Sequence, residues 1–304
     1  MNCTIVICTR NRAESLRRTL GAVTQQQYER GELEILIVDN GSTDHTGQVT
    51  EAFREEDPRI RYAVEPIPGL SVARNAGVTL ARGDVVAFLD DDAWPVDADW
   101  AARLADAYED ERIVVAGGDV ELAWPTDARP DWLHPALLPC LGKTNFQLSA
   151  VTELPRAHGL WGCNISFRRA LILPPHGFRS HLGHVGEAHG AGEEVELCQR
   201  LARAGGRVVY VPGALMLHAV TKEALSPGWF RARAWDHGRA DVAIARAHAS
   251  YASLWRTSAR RLADVVLQLG ALSVLGVARR HRTRLWSQYR LRYSLAYLRY
   301  LVER

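Results

Sequence analysis

Four short apolar runs alternate with amphipathic segments near the start of the chain. The runs are Thr4–Cys8, Leu33–Val38, Ile60–Val64 and Val85–Leu89. Apolar residues at helical spacing follow each of the first three, for example Leu16, Leu20 and Val23 after the first. Strands that alternate with helices at this rhythm form right-handed crossovers and a mostly parallel sheet with helices on both faces. The sequence therefore predicts an α/β, Rossmann-like fold, whose ligands bind at the carboxyl ends of the strands.

The fourth run, Val85–Leu89, ends in three consecutive acids, Asp90, Asp91 and Asp92. An unbroken apolar run is typical of a strand that is buried on both faces. Side chains alternate along an extended backbone, so we expect Asp90 and Asp92 to point to one side and Asp91 to the other. Like charges packed together resist desolvation, and a divalent cation between them would relieve this cost.

Polar loops also follow the first two apolar runs, at Thr9–Arg12 and Asp39–Asp44. An isolated acidic triplet would be better explained as an exposed turn that caps a helix. Here, however, parallel strands bring their carboxyl ends to the same edge of the sheet, so three polar loops should converge there. The sequence predicts one crevice lined by these loops and the triplet.

The rest of the chain continues the pattern with a less regular middle. The predicted elements are a helix at about Asp99–Glu109, a strand near Ile113–Val120, a strand and helix start within Gly162–Arg169, a helix over Glu193–Ala204 and a strand at Val208–Val211. Between them, Trp124–Pro155 resembles a surface insert, and His176–Gly192 a loop whose histidines we interpret as solvated. Beyond Pro227 the pattern is helical, which predicts a domain boundary near Ser226–Gly228.

The five cysteines are spread along the chain and contain no Cys-x-x-Cys pair. This usage suits a reducing compartment and gives no zinc signature. The first apolar run is too short to be the hydrophobic region of a signal peptide, so we expect a cytoplasmic protein. We expect no nucleic-acid partner.

The C-terminal segment is strongly basic. From Arg256 onward it holds eleven arginines against Asp264 and Glu303, although the whole chain carries a formal charge of only +2. An apolar run, Val265–Val277, lies among these arginines and is too short to span a bilayer. Two interpretations stay open: peripheral contact with an anionic membrane or a lipid-linked acceptor, or packing of the helices on the rest of the protein or in a homodimer.

Five motifs in the chain resemble those of glycosyltransferase family 2, whose members have the GT-A fold of nucleotide-diphospho-sugar transferases. They are Cys8-Thr9-Arg10-Asn11-Arg12, Val38-Asp39-Asn40-Gly41-Ser42-Thr43-Asp44, the acidic triplet, Gly162-x-Asn164 and Gly192-Glu193-Glu194-Val195-Glu196-Leu197. The resemblance covers about residues 3–220. It implies a GT-A catalytic domain over 1–226, with nucleotide-sugar binding at about 1–120 and the acceptor side at about 121–226, and a helical extension over 227–304.

The resemblance also implies where the donor would bind. The nucleotide-binding residues would be Thr9, Arg10, Arg12, Asp39, Asn40, Ser42, Arg74, Asp90 and Asp91. Asp39 would accept the imide hydrogen of uracil, which favours UDP over CDP, although an Asx turn would also explain Asn40-Gly41. Trp161, Gly162 and Asn164 would line the sugar or acceptor pocket.

For the metal and the base, the resemblance implies two further groups. Asp92 and Asp90 would bind Mn²⁺ or Mg²⁺, and His218 would either join them or be a packed histidine. Glu194 occupies the position of the family's catalytic Asp, one methylene longer, with Glu193 as the alternative base. At a helix N-terminus we expect Glu194 to be held in its charged form.

These motifs predict an inverting, metal-dependent and non-processive transferase that moves a sugar from a nucleoside-diphosphate donor to a hydroxyl. Neither transmembrane helices nor the Gln-x-x-Arg-Trp motif of processive synthases is evident in the sequence. A nucleotidyltransferase is an alternative, but the loop Thr9–Arg12 lacks the glycines that cradle a triphosphate. A catalytically silent sugar-nucleotide-binding protein is another alternative. A dehydrogenase is disfavoured because no Gly-x-Gly-x-x-Gly follows the first strand.

Overall fold

The computed structural model describes residues 1–125, 129–144, 146, 148–155, 160–183, 190–248, 250–278 and 281–303, with the backbone alone at 251, 274–278 and 281. The chain forms two compact units. The first comprises residues within 1–122, 144–188 and 193–219, and the second comprises residues within 123–143, 189–192 and 220–304.

The first unit is built on a sheet that has nine strands within the described ranges. The strands are β1 (Cys3–Thr9), β2 (Leu33–Asp39), β3 (Ile60–Val64), β4 (Val85–Asp90), β5 (Ala93–Pro95), β6 (Ile113–Ala123), β7 (Thr152–Glu153), β8 (Ile165–Arg168) and β9 (Arg207–Ala219). Their order is β3-β2-β1-β4-β8-β6-β9-β5, and β7 pairs with β9.

Five α-helices belong to the same unit as this sheet. They are α1 (Ala13–Val23), α2 (Thr46–Glu56), α3 (Leu70–Leu80), α4 (Trp100–Asp106) and α5 (Glu193–Arg203). Short 3₁₀ turns follow α4 at Ala107–Glu109 and β8 at Arg169–Leu171, so the helix start predicted after β8 is a single turn. The last strand is much longer than the predicted Val208–Val211.

The parallel part of the sheet is confined to its first four strands. The pairs β1/β2, β1/β4 and β2/β3 are parallel, whereas β4/β8, β6/β8 and β5/β9 are antiparallel. A parallel neighbour needs a long crossover. After β4 only Asp91 and Asp92 separate the strand from β5. Accordingly β5 is not a neighbour of β4 and pairs with β9 instead. The neighbour of β4 beyond β1 is the antiparallel β8, so the sheet is mixed and the acidic triplet lies where its parallel half ends.

The core lies on both faces of the sheet, as the unbroken apolar strands predict. Ile5 and Ile7 of β1 pack in one cluster together with Leu16 of α1. Val6, which alternates with them, packs in the other cluster together with Ala73 of α3. Side chains thus alternate between the two faces with a period of two residues. This alternation determines toward which face each loop residue at the carboxyl ends of the strands points, because a shift by one residue would move every side chain to the other face.

The second unit contains the three long C-terminal helices, α6 (Pro227–His248), α7 (Tyr251–Ala278) and α8 (His281–Val302), and a 3₁₀ helix at Pro135–Leu141. The predicted helical extension is thus confirmed. Helix α8 packs against both α6 and α7. Gly238 of α6 permits the close approach, since a Cβ there would lie 2.6 Å from the carbonyl oxygen of Tyr293. In the described residues, no helix is long and apolar enough to cross a membrane.

Candidate active site

The acidic triplet and His218 are brought together by strand pairing. In the parallel register Asp90 lies beside Cys8, and in the antiparallel pair β5/β9 Ala93 lies beside His218. The backbone N–H of Ala219 donates to the carbonyl oxygen of Asp92 at 2.9 Å. As a result, one ligand atom from each of Asp90, Asp92 and His218 lies within 4.8 Å of the other two.

Asp91 points away from this cluster, as the alternation of side chains predicts. Its carboxylate accepts hydrogen bonds from the Thr9 hydroxyl at 2.8 Å and from Arg12 Nη1 at 3.0 Å. The Thr19 hydroxyl donates to its carbonyl oxygen at 2.9 Å. Burial, opposed by Arg12, raises the pKa of Asp91 to about 7. Asp91 and Thr9 therefore hold the turn in shape, and the nucleotide contact expected for both stays a prediction.

The two acids of the cluster are in different electrostatic states. Burial raises the pKa of Asp90, although Arg74 opposes this. Burial also acts on Asp92, but His218, whose Nε2 lies 3.3 Å from Asp92 Oδ1, and Arg12, at 2.6 Å from Oδ2, lower the pKa of Asp92 to about 2. Asp92 is thus ionised at neutral pH. Two convergent carboxyl groups and an imidazole suit a divalent cation such as Mn²⁺.

Arg74 of α3 is an interior residue, although we expected it to bind the nucleotide. It is buried, its Nη1 donates to Glu193 Oε1 at 2.7 Å and its Nη2 donates to Asp90 Oδ1 at 3.2 Å. The guanidinium lies near the rings of Phe88 and Phe178, 5.9 Å and 5.5 Å from their centroids. Arg74 therefore links Asp90 to the acid pair at the start of α5.

Gly162 gives the Arg74 guanidinium the space that it occupies. A Cβ at position 162 would lie 2.5 Å from Arg74 Nη2, and Arg74 cannot retreat without loosening its ion pairs. We expect Gly162→Ala to lower the free energy of unfolding by about 1–3 kcal/mol, as over-packing of a filled interior does. Urea denaturation followed by circular dichroism measures this change.

The matched control is Gly21→Ala in α1, where an added Cβ meets nothing within 4 Å. It should be neutral or stabilise by about 0.5–1 kcal/mol, because alanine is the better helix former. Equal stabilities of the two variants would contradict the tight fit at Gly162.

Glu193 and Glu194 begin α5 and carry an unusual pair of carboxylates. Glu193 Oε1 accepts from Arg74, whereas Glu193 Oε2 and Glu194 Oε2 are buried and have no hydrogen-bond partner in the part of the chain that the structure describes. Burial and then the charge of Glu193 raise the pKa of Glu194 to about 8. This corrects the expectation that the helix N-terminus keeps Glu194 charged, because desolvation here outweighs the helix dipole.

The loop after β2 holds Asp39 in a defined orientation. Asp39 Oδ1 accepts from the backbone N–H of Ser42 at 2.7 Å, and Oδ2 accepts from the Tyr62 hydroxyl at 2.5 Å. The Ser42 hydroxyl in turn accepts from the N–H of Asn11 at 2.9 Å. Tyr62 was not among the expected site residues. The only signal for it is an aromatic residue on the neighbouring strand β3, two residues before the end of the strand.

Asn40 supports a neighbouring loop. Its Nδ2 donates to the carbonyl oxygens of Glu65 and Ile67 at 2.9 Å and 2.7 Å, and its Oδ1 accepts from the N–H of Gly69 at 2.7 Å. The amide is fully used in positioning residues 65–69, directly before α3. Asn40 therefore has a structural role, and its expected contact with the nucleotide stays a prediction.

Asn164 also differs from the expectation that it lines the sugar or acceptor pocket. It is fully buried, its Oδ1 accepts from Trp100 Nε1 at 3.0 Å, and its Nδ2 donates to the carbonyl oxygens of Asp119 and Ala214. Trp161 is half-buried and packs against the core. Arg10 is exposed.

Asp44, the residue before the N-cap residue His45 of α2, contacts the starts of two helices. Its Oδ1 accepts from the N–H of Thr46 at 3.0 Å, and its Oδ2 accepts from the N–H of Ala13 at 3.2 Å. Asp44 therefore connects the starts of α2 and α1, which fixes the loops that carry Asp39 and Arg12 relative to each other. The sequence does not indicate the contact with Ala13, which lies 31 residues away.

The fold is that of a GT-A enzyme. A mannosyltransferase of Pyrobaculum calidifontis, solved with GDP-Man and Mn²⁺, superposes on this chain with a TM-score of 0.67 at 19% identity. The superposition covers 97% of this chain and 86% of the mannosyltransferase chain. GalNAc-T7, solved with UDP, GalNAc and Mn²⁺, superposes with a TM-score of 0.62 at 16% identity over 86% of this chain and 51% of its own.

The sequence comparisons give the family. The model of glycosyl transferase family 2 matches residues 4–173, so the chain belongs to this family and is a glycosyltransferase. The glucosyl-dolichyl phosphate glucuronosyltransferase of Haloferax volcanii is 29% identical over 249 residues, which cover 78% of this chain and 75% of the relative.

Proposed function

We propose that this glycosyltransferase moves one sugar per encounter, with inversion, from UDP-sugar to an acceptor hydroxyl, and that it needs a divalent cation. The observation that carries the proposal is the convergence of Asp90, Asp92 and His218 beside the Arg74–Glu193 ion pair. One group of side chains suits a cation, and the adjacent acid pair offers a base. Both belong to the same compact unit.

Asp92, Asp90 and His218 would hold the cation, Mn²⁺ or Mg²⁺. Bound there, the cation would stabilise the negative charge that builds on the diphosphate leaving group. Asp92 contributes a fixed negative charge, since the pKa of its carboxyl is lowered to about 2. Arg12 has a half-exposed side chain and contacts both Asp91 and Asp92, so we propose that its guanidinium turns toward the incoming phosphate groups.

Glu194 would remove the proton from the acceptor hydroxyl. A pKa of about 8 makes it a stronger base than an ordinary carboxylate, while leaving part of it ionised near neutral pH. Its Oε2 has no hydrogen-bond partner among the described residues and would accept that proton. Glu193 is already bound to Arg74, which favours Glu194 as the base. Attack by a hydroxyl activated on the side away from the leaving group inverts the anomeric carbon.

Asp39 would select the base of the donor. Each of its oxygens accepts one hydrogen bond within the protein, and an ionised carboxylate has about four acceptor sites, so capacity for the uracil imide hydrogen is left. Cytosine presents a lone pair at this position and would be disfavoured. For the acceptor we propose a lipid-linked sugar, a class suggested by the name of the Haloferax relative.

The test is an assay of nucleoside-diphosphate release from a panel of UDP-, CDP-, dTDP- and GDP-sugars with Mn²⁺. We expect release of UDP, its loss in EDTA, and an inverted anomeric configuration in the product by NMR. Asp39→Ala should weaken UDP affinity in calorimetry by about tenfold, the value of one hydrogen bond to a charged group.

The matched control is Asp97→Ala, an acid whose side chain is half-exposed on the surface. Preferential use of a GDP-sugar, or equal UDP affinity of Asp39→Ala and wild type, would contradict the uracil contact. Release of pyrophosphate from a nucleoside triphosphate would instead indicate a nucleotidyltransferase, and binding without turnover a silent sugar-nucleotide-binding protein.

A further inference from the structure

Helix α7 exposes a line of large apolar side chains. Trp255, Leu262, Val266 and Leu269, here called the α7 stripe, are exposed by 63%, 58%, 66% and 53%. Their spacing of seven, four and three residues places them on one face of the helix. Leu267 of the same helix lies outside the stripe and is also exposed, by 61%. Contiguous exposed apolar surface of this kind marks an interaction site.

The opposite face of α7 is polar and turned toward α8. Gln268 is buried and its Nε2 donates to Asp264 Oδ1 at 3.1 Å. From α8, the Ser294 hydroxyl donates to Asp264 Oδ2 at 2.9 Å, and Arg290 forms an ion pair with Asp264. A surface helix in water has its apolar residues inside and its polar residues outside. Helix α7 has the reverse arrangement, which suits an apolar medium on its outer side.

The exposed charges of α7 are positive. Among the described side chains of α7, the exposed charged ones are Arg256 and Arg260. Asp264 is the only acid in the sequence of this helix, and it faces α8. Pairing with a second copy would therefore bring arginines to the interface without acids to neutralise them, whereas helix pairs normally place opposite charges at these edges. A surface rich in phosphate groups supplies that counter-charge.

We propose that α7 lies in the interface of an anionic lipid bilayer, with the α7 stripe inserted among the acyl chains and the exposed Arg256 and Arg260 on the phosphate groups. The proposed contact is peripheral, and no helix in the described part of the chain is long and apolar enough to cross a membrane. Amphipathic helices bind in this way through buried apolar area together with attraction to anionic lipids. The inference concerns the second unit and does not depend on the donor or the base proposed above.

The test is flotation of the full chain with vesicles of equal parts phosphatidylcholine and phosphatidylglycerol, at low and high salt. We expect binding that is weaker in high salt and weaker still to phosphatidylcholine alone. Leu262→Glu with Val266→Glu should lower the partition coefficient by about 100-fold or more, since two buried side chains are lost to the bilayer. Arg256→Gln with Arg260→Gln should lower it by about 10- to 30-fold at low salt only.

The matched control is Val151→Glu, which replaces a valine exposed by 58% outside α7 and should bind as wild type does. Far-UV circular dichroism of each variant must match wild type. The proposal would be overturned if the wild-type protein stayed in the soluble fraction at low salt. It would also be overturned if the Leu262→Glu, Val266→Glu variant bound vesicles as strongly as wild type. A dimer in sedimentation that this variant dissociates, without vesicle binding by wild type, would assign the stripe to a second copy and also overturn it.

Discussion

Asp92→Ala is expected to lower transfer by about 10³-fold or more, because several kcal/mol of stabilisation of the leaving diphosphate depend on the cation that Asp92 would hold. Asp92 is the carboxylate of the cluster with the lowered pKa, and its two oxygens face His218 and Arg12. The measurement is steady-state release of nucleoside diphosphate with saturating Mn²⁺, together with Mn²⁺ binding followed by electron paramagnetic resonance. Both should be lost together.

Asp99→Ala is the matched control for this loss. Asp99 is a half-exposed acid paired only with the partly buried Arg103 among the described residues, and its removal should leave turnover and Mn²⁺ binding unchanged. Turnover and Mn²⁺ binding of His218→Asn should lie between those of Asp92→Ala and Asp99→Ala, because asparagine keeps a hydrogen-bonding side chain but lacks the imidazole. Wild-type turnover of Asp92→Ala in EDTA would show that the cation has no part in the reaction.

Glu194→Gln is expected to lower turnover by about 10²- to 10⁴-fold while donor affinity stays nearly constant, because only the transition state needs the base. The free-enzyme profile of kcat/KM should rise with pH and level off above about 8, the pKa to which burial and Glu193 raise Glu194. The ionised form is the active one, so activity is lost as pH falls through that value. In Glu194→Gln this rise of kcat/KM with pH should be absent.

Glu193→Gln is the informative comparison for the base. Removing the Glu193 charge takes away the second cause of the raised pKa and frees Arg74 to pair with Glu194, so the pH limb should move to lower pH without disappearing. Loss of turnover in the Glu193 variant alone would transfer the role of the base to Glu193.

The raised pKa of Glu194 also has a consequence for stability. Between the ordinary pKa of a glutamate and about 8, the folded protein binds more protons at this site than the unfolded chain does, so this residue makes the protein less stable as pH rises through that interval. Glu194→Gln should flatten that part of the dependence in urea denaturation measured across the interval. An unchanged slope would indicate that Glu194 is not held in a desolvated site.

The motif residues that the sequence could not assign are those whose partners lie far along the chain. Arg74 pairs with Glu193, which is 119 residues away, and Asn164 accepts from Trp100, which is 64 residues away. The sequence pattern of a polar motif residue is the same whether its side chain binds a ligand or forms hydrogen bonds with buried polar groups of the protein. Only the folded chain shows that Arg74, Asn164 and Asn40 hydrogen-bond to distant parts of the protein.

Local periodicity alone determined the order of strands and helices and the burial of β4. It also determined that Asp91 points opposite to Asp90 and Asp92. These features follow from the pattern of side chains within a few residues. Tertiary structure decided the antiparallel half of the sheet, the placement of His218 beside Asp92 through β5 and β9, and the desolvation of Glu194. It also decided which face of α7 meets solvent. The sequence reveals an apolar run among arginines, but burial depends on which neighbouring helix covers which face, and that is set by contacts across the whole chain.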